Sequence, residues 1–225
     1  RCFMMLVGGL GIIVLAVAVL PMMGVGGSQL FKAETAGPLK DQKLTPRIAD
    51  TARALWIIYA VLAVACTLAY HLAGMSWVDA FMHMCTTISL GGFSPYDASF
   101  GHFNSPALEA VAMVFMLLAG INLVLYFVAL RARSLSVLWD NTEIRAFYAV
   151  LAGSIVLITA YLSFHGSHDG LGDTLRRTAF HVISVATTTG YATYDYAQWP
   201  PFASLLIILL GCFATCAGST GGGIK

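Results

Sequence analysis

"ISVATTTGYATYD" (residues 183–195) and "CTTISLGGFSPYD" (residues 85–97) decide how this chain is read. Each places hydroxyl-bearing residues, a glycine and an aromatic between two apolar runs, and the second stands 98 positions before the first. Aligned at that shift, His83 meets His181, Gly92 meets Gly190, Phe93 meets Tyr191, Tyr96 meets Tyr194 and Asp97 meets Asp195. Beyond the loop the shift becomes 95, so that Pro106 meets Pro201 and Ala119 meets Ala214. A duplication at this period sets the architecture before any finer reading.

The surroundings of both stretches are those of a membrane. The 225 residues are 58% hydrophobic and 10% charged, with a mean hydropathy of +0.79, whereas a soluble domain carries about 25% charged residues. The expectation is an all-α polytopic membrane protein, in contact with membrane lipid. A net charge of +1 gives no reason to expect a nucleic-acid partner. Five cysteines, Cys2, Cys66, Cys85, Cys212 and Cys216, lie mostly in apolar runs, and an odd number without polar loops argues against a disulfide framework. Cys212 and Cys216 are expected to share a helical face, with packing as their role.

A membrane-crossing helix needs about 20 mostly apolar residues. Five runs come close: 3–23, 54–72, 106–130, 146–164 and 201–217. The linkers 24–53 and 131–145 hold eight of the twelve Lys and Arg, which places both in the cytoplasm. Arg176 and Arg177 fall on the outer side, against that rule. Between the runs lie two shorter segments, 77–87 and 174–187. At 1.5 Å per residue each covers about half of a ~30 Å hydrocarbon core. Each therefore enters and leaves on one side, as a re-entrant segment followed by an irregular strand.

Irregular backbone at membrane depth is tolerated only where protein buries it or where it lines a wet cavity. Its carbonyls can then replace the water shell of a cation. Gly92 and Gly190 permit backbone angles that a side chain forbids. No charged side chain lies in either strand, which favours a weakly hydrated monovalent ion over a divalent one. The filter residues are accordingly Ser89, Leu90, Gly91 and Gly92 in the first copy, and Thr187, Thr188, Thr189 and Gly190 in the second. The competing reading is a glycine-rich break used for close helix packing.

Four stretches together resemble a known family: "TTTGYAT" (187–193), "TISLGGFSPYDAS" (87–99), "GGLGIIVLAVAVLP" (8–21) and "CAGSTGGGIK" (216–225). They are similar to the TrkH subunits of bacterial Trk potassium-uptake systems, in the Trk/Ktr/HKT superfamily. The linker "FKAETAGPLKDQKLTPRIADTA" (31–52) is similar too. Leu6 and Val7 depart from the family pattern, as does Gly91. The resemblance implies a pseudo-fourfold pore with two full repeats here. Residues 1–23 would be the second helix of repeat one, and 24–53 a cytoplasmic linker. Residues 54–130 would be repeat two, 131–145 a cytoplasmic loop, and 146–225 repeat three. The chain is thus expected to be an internal piece of a longer protein. The resemblance also implies K⁺ as the transported ion with no cofactor, and a location in the bacterial inner membrane. A homodimer and a cytoplasmic nucleotide-binding regulatory subunit are further implications.

The segment Gly218, Ser219, Thr220, Gly221, Gly222 and Gly223 is not a phosphate-binding loop. Ile224 separates the glycines from Lys225, and an apolar run rather than a strand precedes them. Three consecutive glycines do not hold a stable helix, so the segment is expected to break the inner helix beneath the filter. The resemblance assigns it the role of a gate.

Single residues have humbler expectations. Asp97 and Asp195 would cap loops, and His83 and His181 would pack with a satisfied hydrogen bond. Glu109 would be snorkelled or hydrogen-bonded, and Asn122 would bond across a helix interface. The functional alternatives are a non-selective Na⁺/K⁺ transporter subunit, a membrane enzyme built on His83, His181 and the aspartates, and a non-conducting assembly subunit. The sequence leaves K⁺ against Na⁺ open, because the first and fourth filter walls lie outside it.

Overall fold

The computed structural model describes residues 1–9, 48–134, 136–165, 170–213, 215–216 and 219–222. The linker expected over 24–53 therefore lies mostly outside the described residues, as do Gly218 and Gly223. Helix α1 covers residues 2–9. It is followed by α2 (Ile48–Leu72), α3 (Trp77–Ile88), α4 (Pro106–Ala119), α5 (Leu123–Ala132), α6 (Ser136–Asp140), α7 (Thr142–Phe164), α8 (Leu171–Ala186) and α9 (Pro201–Phe213). The described residues contain no strand.

Helices α2 and α7 are long and apolar enough to cross a membrane. At 1.5 Å per residue, the 23 residues of α7 span about 35 Å, whereas the 12 of α3 reach about 18 Å. The short helix α3 begins where the Ser76 hydroxyl accepts from the Asp79 amide at 3.1 Å. Asn141 opens α7 in the same way, accepting from the amides of Glu143 and Ile144. These caps supply acceptors to first-turn amides that have no partner inside the helix.

One expected span is not continuous. Residues 106–130 form α4 and α5, bent by 83° at the Gly120-Ile121-Asn122 elbow. Asn122 causes the restart: its side chain accepts from the Val124 amide at 2.9 Å. It therefore caps α5 instead of bonding across a helix interface, which corrects the expectation for this residue. Under the 95-residue shift the elbow corresponds to the point where α9 stops, after Phe213. The end of α9 also corrects the cysteine reading, since Cys216 lies beyond the helix that holds Cys212. None of the five cysteines is in a disulfide.

Two cores hold the molecule, and each borrows from the other. The first joins α2, α3 and α4 and takes in Phe180, Ile183 and Tyr191 from the second copy. The second joins α7, α8 and α9 and takes in Ile121 and Leu125 from the first. Lipid tails are as apolar as these cores, so association rests on close packing and on buried polar bonds. The elements that carry those bonds are the ends of α3 and α8.

Candidate functional site

Helices α3 and α8 end with the same backbone trace. Their capping residues, Ser89 and Thr187, have φ/ψ of −81°/−4° and −79°/1°. The next residues turn left-handed, with φ of 53° at Leu90 and 59° at Thr188. Two residues on, Gly92 and Gly190 are left-handed again, at 63° and 85°. A β-branched residue such as Thr188 is rarely found there. Such a conformation costs on the order of 1–3 kcal/mol and persists where the surroundings impose it. Its recurrence at equivalent positions of both copies makes it a property of the repeat.

The amides of these strands are committed inward. Leu90 donates to the Thr87 carbonyl, and Gly91 and Gly92 both donate to the Thr86 carbonyl. Thr188 donates to Val185, and Thr189 and Gly190 both donate to Ser184, the same pattern shifted by 98. Side-chain hydroxyls fix the exits. Thr86 donates to the Phe93 carbonyl at 2.8 Å, and Ser184 to the Tyr191 carbonyl at 2.7 Å. The amides of residues 90–92 and 188–190 all turn back onto carbonyls of their own helix, and none of them bonds a carbonyl of the other strand. Each strand thus commits its backbone donors to its own helix and leaves its carbonyls out of that bonding, an arrangement that suits a cation.

The two strands are neighbours. A Cβ on Gly92 would collide with the Thr189 carbonyl. Outside them, Gly101 donates its amide to the Ala192 carbonyl at 3.2 Å, and the Ser99 hydroxyl accepts from the Ala192 amide at 3.3 Å. Beneath them sits the described part of the glycine-rich segment. The Thr220 hydroxyl donates to the Ile88 carbonyl at 3.1 Å, and the Gly222 amide donates to Thr188 Oγ1 at 2.8 Å. Thr220 and Gly222 therefore bond the end of α3 in one copy and the strand after α8 in the other. The Cys216 amide bonds the Gly120 carbonyl at 3.3 Å, anchoring this segment to the α4–α5 elbow.

The remaining residues sort as follows. Both ring nitrogens of His83 are bonded, to the Asp79 carbonyl at 2.9 Å and Ser94 Oγ at 3.1 Å. His181 is only half satisfied: Nε2 lies 3.4 Å from Thr193 Oγ1, and Nδ1 is buried without a hydrogen bond. Asp195 caps a short turn by accepting from the Ala197 amide, and both it and its counterpart Asp97 are exposed. The acidic group bound in the first copy is Asp79, which accepts from the Tyr96 hydroxyl at 3.0 Å. That bond raises the Tyr96 phenol above its ordinary pKa.

Glu109 is buried, with Oε2 3.6 Å from Arg176 Nε, while Arg176 also reaches Asp173 at 3.2 Å. Arg177 lies over the Tyr194 ring at 5.2 Å. The two arginines that break the charge rule are thus held by local partners. No spacing in the sequence links Glu109 to Arg176, and their opposite charges in the two copies were the only signal.

Comparison with known proteins gives one answer throughout. A family model described as "TrkH: Cation transport protein" matches residues 1–225. The Trk system potassium uptake protein TrkH of Salmonella typhimurium is 49% identical over 97% of this chain and 45% of its own length. TrkH of Escherichia coli strain K12 is 48% identical over the same shares. The crystal structure of the potassium transporter TrkH from Vibrio parahaemolyticus superposes with a TM-score of 0.82 at 39% identity, covering 99% of this chain and 45% of that one. The chain spans about half the length of these relatives.

Proposed function

This chain belongs to the TrkH family of cation transport proteins, and from that premise we propose that it supplies two adjacent walls of a potassium pathway. The family is one of transporters, not enzymes, and the chain is a multi-pass protein of the bacterial inner membrane. The walls are Ser89, Leu90, Gly91 and Gly92, and Thr187, Thr188, Thr189 and Gly190. The observation that carries this reading is the repeated backbone: left-handed turns at equivalent positions, and amides folded back onto the helix so that the carbonyls take no part in that bonding.

In this mechanism a K⁺ ion sheds water as the carbonyls of the walls take its place. The C-terminal ends of α3 and α8 add negative potential at the same point, since helix dipoles place about half a charge there. Uncharged oxygens hold a monovalent ion firmly enough to select it and loosely enough to release it. Ser219, Thr220, Gly221 and Gly222 lie against both walls, and in this reading they obstruct the path until the loop moves. Gly218 and Gly223 complete that gate as the sequence delimits it. A homodimer and a cytoplasmic nucleotide-binding regulator complete the proposal, supported by family membership.

The test is K⁺ and Na⁺ flux through the full-length protein in liposomes. Gly92→Ser and Gly190→Ser are expected to reduce uptake or loosen selectivity for K⁺. Wild-type uptake and selectivity in both variants would remove the filter assignment.

A further inference from the structure

The two copies differ at one position that joins them. Phe93 follows Gly92, and its ring is 38% exposed. Its counterpart Tyr191 follows Gly190 and is 1% exposed, inserted into the core of the other repeat. The Tyr191 ring packs on Phe100 at 4.5 Å between centroids. Its hydroxyl lies 2.6 Å from Thr86 Oγ1, 3.0 Å from Thr87 Oγ1 and 3.0 Å from the His83 carbonyl.

Counting protons orders this knot. Each hydroxyl has one proton to give. Thr87 gives its own to the His83 carbonyl at 2.7 Å. Thr86 gives its own to the Phe93 carbonyl, the backbone group immediately after Gly92. Thr86 Oγ1 is then free to accept from Tyr191, whose single proton has two further acceptors at 3.0 Å, Thr87 Oγ1 and the His83 carbonyl, and goes to the nearest, Thr86 at 2.6 Å. The result is a relay from the Tyr191 hydroxyl through Thr86 to the Phe93 carbonyl. Meanwhile the carbonyl of Tyr191 is held by Ser184 of its own repeat. Tyr191 is thus fixed at its backbone by one repeat and at its hydroxyl by the other.

We propose that Tyr191 and Thr86 form a strut that sets the spacing between the two filter walls, making Tyr191 a positioning residue for ion selectivity. The proposal rests on the filter reading above and deepens it. A carbonyl site separates ions of different radius only as far as its walls resist moving together. The bond between Tyr191 and Thr86 is buried, in surroundings where hydrogen bonds are strong and competition from water is small. Removing the Tyr191 hydroxyl leaves the ring in place and frees one wall relative to the other.

The experiment measures the K⁺ over Na⁺ permeability ratio of the full-length protein in liposomes. Tyr191→Phe is expected to lower the ratio about two- to tenfold, the range spanned by one net hydrogen bond. Thr86→Val should lower it at least as much, since it also releases the Phe93 carbonyl, and Thr86→Ser should restore it. The double variant Tyr191→Phe/Thr86→Val should match Thr86→Val alone, because the two residues act as one unit. A wild-type ratio in Tyr191→Phe, or effects that multiply in the double variant, would overturn the strut. Should Tyr191→Phe aggregate, Thr86→Val against Thr86→Ser makes the same comparison, and equal ratios in that pair overturn it. Gly190→Ser, measured in parallel, separates the two claims. If it loosens selectivity while Tyr191→Phe does not, only the strut falls. If neither changes the ratio, the filter reading falls with it.

Discussion

Gly92 of the first copy lies so close to the Thr189 carbonyl of the other copy that no Cβ fits between them. Gly190 occupies the equivalent place in its own repeat, yet a Cβ there would meet nothing within 4 Å. The two glycines of the proposed filter therefore resist substitution for different reasons. At Gly190 the reason is the left-handed φ of 85°; at Gly92 it is that conformation together with contact against the neighbouring wall.

Alanine separates these reasons. Gly190→Ala is expected to fold with a cost of about 1–2 kcal/mol, the left-handed penalty of an L-residue. Gly92→Ala should lose more stability and more K⁺ selectivity, because backbone has to shift. Thermal melts and flux ratios of the two full-length variants check the order. Equal losses would mean that the walls are not in contact.

The glycine-rich segment is tied to the end of α3 by a hydrogen bond from Thr220 to the Ile88 carbonyl, and to the proposed filter strand at Thr188 by one from Gly222. Thr220→Val removes one and should raise basal K⁺ flux about two- to tenfold, if one net hydrogen bond biases the obstructed state. Shortening the segment between Gly218 and Gly223 should raise it further and weaken control by a cytoplasmic regulator. Equal or lower flux in both variants would leave the segment a packing element.

The Glu109–Arg176 pair joins α4 of one repeat to α8 of the next. Breaking a fully buried pair costs about 3–5 kcal/mol. The Arg176 side chain is 25% exposed, so Glu109→Gln should cost about 1–3 kcal/mol once solvent screening is allowed for. Arg176→Gln in the same protein should recover part of that loss, since no charge is then left buried alone. Melting temperatures of the two single variants and the double variant measure this.

The elbow depends on one amide side chain. Asn122→Ala deletes the α5 cap, a loss of about 1 kcal/mol for caps of this kind. It should also loosen the Cys216–Gly120 contact that anchors the glycine-rich segment. Hydrogen exchange at the Val124 and Cys216 amides should rise together. A rise at Val124 alone would show that the elbow and the segment move independently.

What the sequence discloses here follows from what repetition leaves behind. Two short apolar segments, each followed by a glycine at the same offset, were enough to mark the re-entrant helices, because half-membrane length is itself a physical constraint. The elbow was hidden, since residues 106–130 are apolar throughout and hydropathy does not sense an 83° bend. Gly120 and Asn122 were its only marks, and an asparagine in an apolar run reads equally well as a partner for another helix. The Tyr191 knot was hidden for another reason. Alignment of the copies pairs Tyr191 with Phe93 as two aromatics, and the hydroxyl that distinguishes them finds its partners only across the repeat boundary. The Glu109–Arg176 pair is likewise long-range, and charge counting recorded Arg176 only as an exception.

The central claim is that carbonyls of residues 89–92 and 187–190 bind the transported ion. Anomalous scattering from Rb⁺ or Tl⁺ in crystals of the full-length protein tests it most directly. The account predicts density between these two strands, displaced by K⁺ far more readily than by Na⁺, and lost or weakened in Gly190→Ser. Density confined to another part of the molecule, or filter density that Na⁺ displaces as well as K⁺, would contradict it.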